Sequence, residues 1–293
     1  MATIQILSDL HLEVSKHYDV FEINPKAPYL ALLGDIGNVA RHKQECLDFL
    51  TGQLRQFKAV LFVAGNHEAY HSSWPETLAI LTAFQDDVRS RKDPSLGEFV
   101  LLDRAVFRVP DSNVVILGCS LFSHVPPESE TAVGFRLNDF SQTSGWDVAA
   151  HNEAHRRDLA WLNEQVADLE GSGADIVILS HWSPTRVARS ADPRHAGSPI
   201  TSAFATDLSG ERCFRSGRVR VWAFGHTHYS CDFFLQRKGG AGPLRIVANQ
   251  RGYYFSQSEG FDAEKTVDVL EGTEEKGGSQ LGALWRRIVG RNK

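Results

Sequence analysis

The sequence has little cysteine and no pattern that would pair it. None of the cysteines among the 293 residues shows CxxC spacing, so the chain predicts neither a disulfide framework nor a thiolate zinc site. We expect these residues to be small buried hydrophobic side chains in a reducing compartment. The four cysteines are Cys46, Cys119, Cys213 and Cys231.

The chain also lacks an excess of positive charge and any long apolar run. The formal net charge is -5 and the pI is near 6.2, so no global basic field is available to hold duplex nucleic acid by its phosphates. No apolar stretch reaches the length that crosses a bilayer, and the first residues show no signal-peptide pattern. We therefore expect a cytoplasmic protein in which any phosphate binding is local.

Alternating strands and helices are predicted from the hydrophobic pattern. The apolar runs 4–7, Tyr29–Leu33 and 60–63 are typical of buried strands, and residues 43–57 carry apolar side chains at helical spacing. Strand, helix, strand is the pattern of an α/β fold. Two more helices are predicted, over Trp74–Arg91 and over a segment that ends near residue 169. The remaining predicted strands are 99–102, 105–109, Val114–Gly118, Asp175–Leu179, Val219–Phe224, and an antiparallel pair at 233–236 and 244–248.

The domain organisation is predicted to be simple. We expect one domain over residues 1–270, followed by a charged, glycine-rich linker and a short amphipathic helix within residues 271–293. That helix could touch a membrane surface or a second subunit, although docking on its own domain is the simpler interpretation. Residues 123–145 are polar and predicted to be a surface loop that serves as a lid or contacts the substrate.

Polar residues follow five predicted strands at the point where each strand ends. In α/β sheets, ligand-binding groups lie just beyond the carboxyl ends of the strands. Carboxylates, an amide oxygen and imidazoles suit Mn, Fe or Zn, and seven such ligands suit two ions better than one tetrahedral ion. The segments are Ser8-Asp9-Leu10-His11, Gly34-Asp35, Gly65-Asn66-His67-Glu68, Ser180-His181 and Gly225-His226-Thr227-His228.

These segments resemble, in order, the five motifs of the calcineurin-like metallophosphoesterases. The resemblance covers residues 9–228 and implies an α/β protein, a four-layer αββα sandwich with mixed sheets flanked by helices. It also implies two divalent metal ions. Asp9, His11, Asp35 and His228 would hold the first ion, and Asp35, Asn66, His181 and His226 the second, with Asp35 bridging.

The resemblance leaves His67 free of metal. This histidine would act as general acid or would hydrogen bond the phosphoryl oxygens, while a metal-bridging hydroxide attacks phosphorus in line. Two divalent ions lower the pKa of such a water to roughly 7. Glu68 is expected to support its neighbours.

Departures from the family pattern narrow the predicted subclass. The protein Ser/Thr phosphatases show GDxVDRG where this chain has Gly34-Asp35-Ile36-Gly37-Asn38, which disfavours a protein phosphatase. The chain is more similar to the small stand-alone branch that contains the class III cyclic nucleotide phosphodiesterases. We therefore predict hydrolysis of a small phosphodiester, with a cyclic nucleotide as one option. A phosphomonoesterase, a nuclease and a metal-binding scaffold without turnover are the alternatives.

Other residues are candidate substrate contacts besides Asn66 and His67. Trp182 could stack on a base, although packing in the core is favoured because tryptophan is mostly buried. Arg194 and His195 could contact phosphate oxygens, as could Arg186 and Arg189, or all four could lie in a solvated loop.

Two further sets of residues could contribute to the site or could have only structural roles. Asn249, Arg251 and Tyr253 follow the last predicted strand and could reach the same cleft. His151 and His155 have i, i+4 spacing without the glutamate of HExxH, so we expect them to pack in the core or support the site.

Overall fold

The computed structural model describes residues 2–237 and 241–269, in which thirteen strands alternate with helices. The strands are β1 (Ala2–Leu7), β2 (Tyr29–Leu33), β3 (Ala59–Val63), β4 (Glu98–Leu101), β5 (Ala105–Arg108), β6 (Val114–Gly118), β7 (Asp175–Leu179), β8 (Val219–Phe224), β9 (Cys231–Gln236), β10 (Pro243–Ala248), β11 (Gly252–Tyr253), β12 (Ser256–Gln257) and β13 (Thr266–Val269).

Six α-helices and several short 3-10 helices connect these strands. The α-helices are α1 (Lys43–Leu54), α2 (Trp74–Arg91), α3 (Pro127–Arg136), α4 (Asp139–Gln142), α5 (Val148–Leu169) and α6 (Arg212–Arg215). The 3-10 helices are Val14–Asp19, His67–Ala69, Glu170–Ser172, Ala188–Ser190, Pro193–His195 and Thr201–Ala203. No helix among the described residues is long and apolar enough to span a membrane.

Two large mixed sheets form the centre of the protein. The first has the order β13-β1-β2-β3-β4, with β13 antiparallel to β1 and the other pairs parallel. The second has the order β5-β6-β7-β8-β10-β9, with antiparallel pairs at both edges. Strands β2, β3, β6 and β7 are buried along their whole length, as expected for parallel strands covered on both faces.

Side chains that alternate along the strands cover both faces of each sheet, so the sheets and the helices outside them pack as four layers. Ile4 and Leu61, on one face of the first sheet, join Ile116 and Val177 of the second sheet in a single buried cluster, so the two sheets pack face to face. The outer face of the first sheet packs against α1 and α2, and the outer face of the second sheet packs against α5 and α6. The predicted αββα sandwich with mixed sheets and flanking helices is therefore confirmed.

Residues 123–145 lie largely at the surface, as predicted, but the prediction that they form an irregular loop is wrong. This segment contains α3 and α4, and Val125, Val133 and Leu137 pack with Ala203 in a small apolar cluster of their own. Most residues of the segment are polar and its few buried positions are spaced irregularly, so the hydrophobic pattern did not predict the helices. Helix α1 ends at Leu54, before the predicted end at residue 57. The predicted linker and C-terminal helix within residues 271–293 lie outside the described residues.

Candidate metal centre

The predicted metal ligands lie on sharp reversals directly after the strands. Five of the seven have a left-handed backbone, which non-glycine residues rarely adopt and which costs of order 1 kcal/mol each. Such reversals turn polar side chains into the space above the strand ends. The φ angles are 53° at Asp9, 47° at His11, 54° at Asp35, 70° at His226 and 47° at His228.

Three groups of potential metal ligands lie close together among the described residues: the two described first contain Asp35, and the third consists of His11, Glu13 and His67. In the first group, one ligand atom from each of Asp9, His11, Asp35 and His228 lies within 4.8 Å of the others. Nε2 of His11 and Nε2 of His228 are 2.9 Å apart, so both ring nitrogens face the same point.

The second group has the same compactness. Asp35, His181 and His226 offer ligand atoms within 4.8 Å of one another. Asn66 joins them, since its Oδ1 lies 3.2 Å from Nε2 of His181. The two groups coincide with the two predicted ligand sets.

The donor set fits divalent cations. Nε2 of His226 is buried and has no hydrogen-bond partner, which is the situation that a bound metal would relieve. Within residues 2–237 and 241–269, the ion pairs of Asp9 and Asp35 are all with histidines. Buried carboxylates without a lysine or arginine partner are costly, and a metal cation compensates them.

The charges of the cluster favour ionised carboxylates. Burial raises the pKa of Asp35, but the charges of His181 and His67 outweigh it and hold that pKa well below its ordinary value. The pKa of Asp9 is lowered in the same way, chiefly by His228 against the effect of burial. The ionised form is the one that binds a metal ion.

Glycine is required at two of the motif loops because the loops approach closely. A Cβ at Gly225 would lie 2.8 Å from Oδ2 of Asp9. A Cβ at Gly65 would collide with Oδ1 of Asp35. The glycines of the GNHE and GHTH segments therefore make room for the two carboxylates.

The orientation of Asn66 is set by two residues that the sequence did not single out. Nδ2 of Asn66 donates to Oδ1 of Asp139 at 2.9 Å and to the hydroxyl of Tyr70 at 3.0 Å. An ionised carboxylate can only accept, so the amide nitrogen faces Asp139 and the amide oxygen faces His181. Asp139 is 3% exposed and lies on α4, in the segment predicted to be a surface loop.

Glu13 is the second group that sequence reasoning missed. Its Oε1 lies 2.8 Å from Nδ1 of His67 and 3.2 Å from Nδ1 of His11. Burial raises the pKa of Glu13, but its hydrogen bonds to the two histidines lower that pKa to about 2. Its position two residues after His11 was the available signal.

His67 is held with its other nitrogen toward the cluster. Its Nε2 is 4.0 Å from Oδ2 of Asp35, and the ring stacks on Tyr70 with centroids 4.2 Å apart. Burial lowers the pKa of His67, but Asp35 and Glu13 raise it to about 9. The imidazole can therefore carry a proton near neutral pH.

Glu68 supports the loops, in agreement with the expectation from the sequence. Its fully buried carboxylate accepts hydrogen bonds from the backbone N–H groups of Asp35, Ile36, Gly37 and Gly65, at 2.6 to 3.2 Å. Burial and the charge of Asp35 raise its pKa to about 7. Glu68 thus connects the loop after β2 to the loop after β3.

Trp182 is not available to a substrate, which corrects its assignment as a candidate substrate contact. The indole is 0% exposed, and its Nε1 donates to the carbonyl oxygen of Ala203 at 3.0 Å. It stacks on Phe122 and contacts His226, so it packs behind the cluster.

Arg194 and His195 match the alternative of a solvated loop. The side chain of Arg194 is 84% exposed and pairs with Asp192 of its own segment, and His195 is also exposed. Arg186 is exposed as well, and Arg189 lies over the ring of Phe233. These positions give no support to the predicted phosphate contacts.

Of the three residues after the last predicted strand, Tyr253 reaches the cluster. Asn249 instead donates to the backbone of Ile6 and Asp262, and Arg251 donates to the carbonyl oxygen of Leu10. The ring of Tyr253 stacks on His11 with centroids 4.2 Å apart.

The histidines on α5 have structural roles. His151 is fully buried and lies 3.0 Å from Oγ of Ser123, and Nδ1 of His155 lies 3.0 Å from the carbonyl oxygen of Leu121. Both are buried, in agreement with the favoured expectation that they pack in the core or support the site.

Comparison with known proteins is consistent with this geometry. Residues 2–230 match the family model described as calcineurin-like phosphoesterase. An uncharacterised protein, L509 of Acanthamoeba polyphaga mimivirus, is 26% identical over 292 residues, covering 92% of this chain and 97% of that protein.

Among solved structures, the phosphopantetheinyl hydrolase PptH of Mycobacterium tuberculosis superposes with a TM-score of 0.63 at 16% identity, covering 86% of this chain and 90% of PptH. A putative 5'-nucleotidase of Staphylococcus aureus gives a TM-score of 0.45 at 15% identity, covering 86% of this chain and 48% of the nucleotidase. The first likeness shows a shared fold.

Proposed function

Because the chain belongs to the calcineurin-like phosphoesterase family, we propose that it is a dinuclear metal-dependent phosphoesterase that hydrolyses a small phosphodiester. The observation that carries the proposal is the pair of ligand groups sharing Asp35, with His67 beside them and hydrogen bonded to Glu13. The proposed catalytic unit is a single domain over residues 1–270 in the cytoplasm.

Each side chain of the cluster has a role in this proposal. Asp9, His11, Asp35 and His228 would hold one ion, and Asp35, Asn66, His181 and His226 the other. When bound, two divalent ions neutralise the phosphoryl charge and activate water. The nitrogen and oxygen donors suit Mn, Fe or Zn.

His67 would serve the leaving group. Glu13 accepts a hydrogen bond from Nδ1, so the protonated ring presents Nε2–H to the cleft. That proton can pass to the departing ester oxygen, or the N–H can hold a phosphoryl oxygen as charge develops.

We propose a phosphodiester rather than a phosphomonoester as the substrate. Among the described residues, no lysine or arginine pairs with the carboxylates of Asp9, Asp35 or Glu13. These carboxylates are therefore left to neutralise the metal ions. The preference for a diester rests on the similarity of the motifs to the small stand-alone branch that contains the class III cyclic nucleotide phosphodiesterases. Hydrolysis of a monoester is the alternative, and duplex nucleic acid is not expected as a substrate.

Two chromogenic substrates test the proposal. The kcat/KM for bis-p-nitrophenyl phosphate is compared with that for p-nitrophenyl phosphate, with Mn, Fe or Zn supplied and Asp35→Asn as the inactive control. Faster hydrolysis of the diester is expected. A preference for the monoester would show that the enzyme is a phosphomonoesterase instead. No hydrolysis of either ester with any of the metals would favour a metal-binding scaffold.

A further inference from the structure

A row of aromatic rings leads from the metal cluster to the surface. The ring of Tyr253 stacks on His11 with an interplanar angle of 28° and meets His228 edge-on at 5.1 Å. The ring of Phe255 lies parallel to that of Tyr253, at 1° and 5.4 Å between centroids. His11, Tyr253 and Phe255 therefore form a ladder that starts at a proposed metal ligand.

The ladder lies on the side of the metal cluster where His67, the proposed general acid, is found. The hydroxyl of Tyr253 is 3.5 Å from Nε2 of His67, the nitrogen proposed to face the departing oxygen. A substrate whose phosphoryl group is held at the cluster would therefore direct its leaving alcohol along Tyr253 toward Phe255.

The outer end of the ladder is open and firmly held. The side chain of Phe255 is 68% exposed and that of Tyr254 is 46% exposed. The hairpin β11–β12 that carries them is tied to the metal motif, since Oγ of Ser258 donates to the carbonyl oxygen of His228 at 2.6 Å. Ser258 also closes the hairpin by donating its N–H to the carbonyl oxygen of Arg251 at 2.8 Å.

We propose that the outer face of Phe255, with Tyr253 stacked behind it, is a stacking platform for a nucleobase in the leaving group, which makes the substrate a nucleoside phosphoester. This inference rests on the proposed function and names its substrate class. A flat apolar face beside a phosphate site suits a base, because every base can stack on an aromatic ring whatever its hydrogen-bonding edge. The nucleoside would leave with its ester oxygen beside His67.

Matched substrates separate stacking from chemistry. The methyl ester of adenosine 5'-phosphate is compared with the methyl ester of glycerol 3-phosphate, because both are methyl phosphodiesters of a primary alcohol. We expect the Zn-loaded protein to prefer the adenosine ester. Replacement of one stacking ring costs about tenfold in affinity. Phe255→Ala should thus raise the KM for the adenosine ester about tenfold and leave the KM for the glycerol ester unchanged.

Two variants provide controls. Phe255→Trp keeps a ring and should retain the preference, whereas Phe135→Ala removes a phenyl group that is 88% exposed on α3 and should have no effect. A substrate preference that Phe255→Ala leaves unchanged would overturn the platform.

Binding without turnover distinguishes this inference from the proposed function. Adenosine, which has no phosphate, is added to the Zn-loaded full-length protein, and saturation transfer to the adenine protons is measured by NMR. Transfer that is present in the wild type and lost in Phe255→Ala supports the platform, and its absence in the wild type overturns it. Failure of every ester to react, with adenosine still bound, would instead overturn the proposed hydrolysis.

Discussion

Oε1 of Glu13 lies 2.8 Å from Nδ1 of His67 and 3.2 Å from Nδ1 of His11, so one oxygen holds the proposed acid and a proposed metal ligand. A carboxylate on Nδ1 fixes which nitrogen of an imidazole carries the proton and how the ring is turned. The Nε2 atoms of both histidines are thereby directed to the same side.

Glu13→Gln should lower kcat about 10- to 100-fold, the usual effect of losing a carboxylate behind a working histidine. The neutral amide no longer stabilises the protonated His67, so the alkaline limb of the pH profile, where this general acid loses its proton, should shift to lower pH. The measurements are kcat as a function of pH and metal content. Glu22→Gln, which changes an exposed glutamate, is the control. An unchanged pH profile would remove Glu13 from the mechanism.

His67→Ala and Asp35→Asn should separate catalysis from metal binding. Loss of a general acid typically costs about 10²- to 10⁴-fold, so His67→Ala should keep both ions and lose most turnover. Asp35 belongs to both ligand groups, so Asp35→Asn should lose metal as well. Metal stoichiometry and kcat are measured together on each variant. Turnover of His67→Ala at the wild-type rate would show that the assigned role is wrong.

Asp139→Ala should lower the affinity for the second metal ion about 10- to 100-fold, because the amide of Asn66 loses the acceptor that orients it. Tyr70→Phe removes one partner of the same network and should have a smaller effect. Zn titration of metal-free protein gives the two affinities. Asp168→Ala, at an exposed position on α5, should match the wild type. Equal second-site affinities in Asp139→Ala and Asp168→Ala would contradict the prediction.

His151 should make the metal-free protein less stable in acid. Burial, followed by the charge of His155, lowers its pKa from 6.5 to about 3 in the folded state. Between these values the unfolded chain takes up a proton that the folded chain does not. The contribution of neutral His151 to the free energy of unfolding is therefore fully present above pH 6.5 and is lost as the pH falls toward 3. The free energy of unfolding falls by at most about 1.4 kcal/mol per pH unit in this range.

Urea unfolding between pH 7 and pH 4.5 checks this dependence. His151→Gln should show a shallower decline of the free energy of unfolding, whereas His195→Gln, at an exposed histidine, should follow the wild type. Parallel curves for all three proteins would exclude the contribution of His151.

Most strands could be predicted because they are continuous apolar runs bounded by polar residues or glycine. Tyr29–Leu33, Val114–Gly118 and Asp175–Leu179 have the predicted bounds. Each is buried on both faces, so its limits are visible in the local sequence. Residues 123–145 were mispredicted because their buried positions depend on distant partners such as Ala203.

The sequence by itself determined the five loops that converge, since each donor group stands two to four residues after the end of a strand. It also determined the family, through the order of those loops. Only the tertiary structure decided which groups surround the cluster. Asp139 is 73 residues from Asn66, and Tyr253 is 186 residues from His67. Such neighbours are set by how the two sheets and their connecting loops pack, which no local pattern of residues specifies.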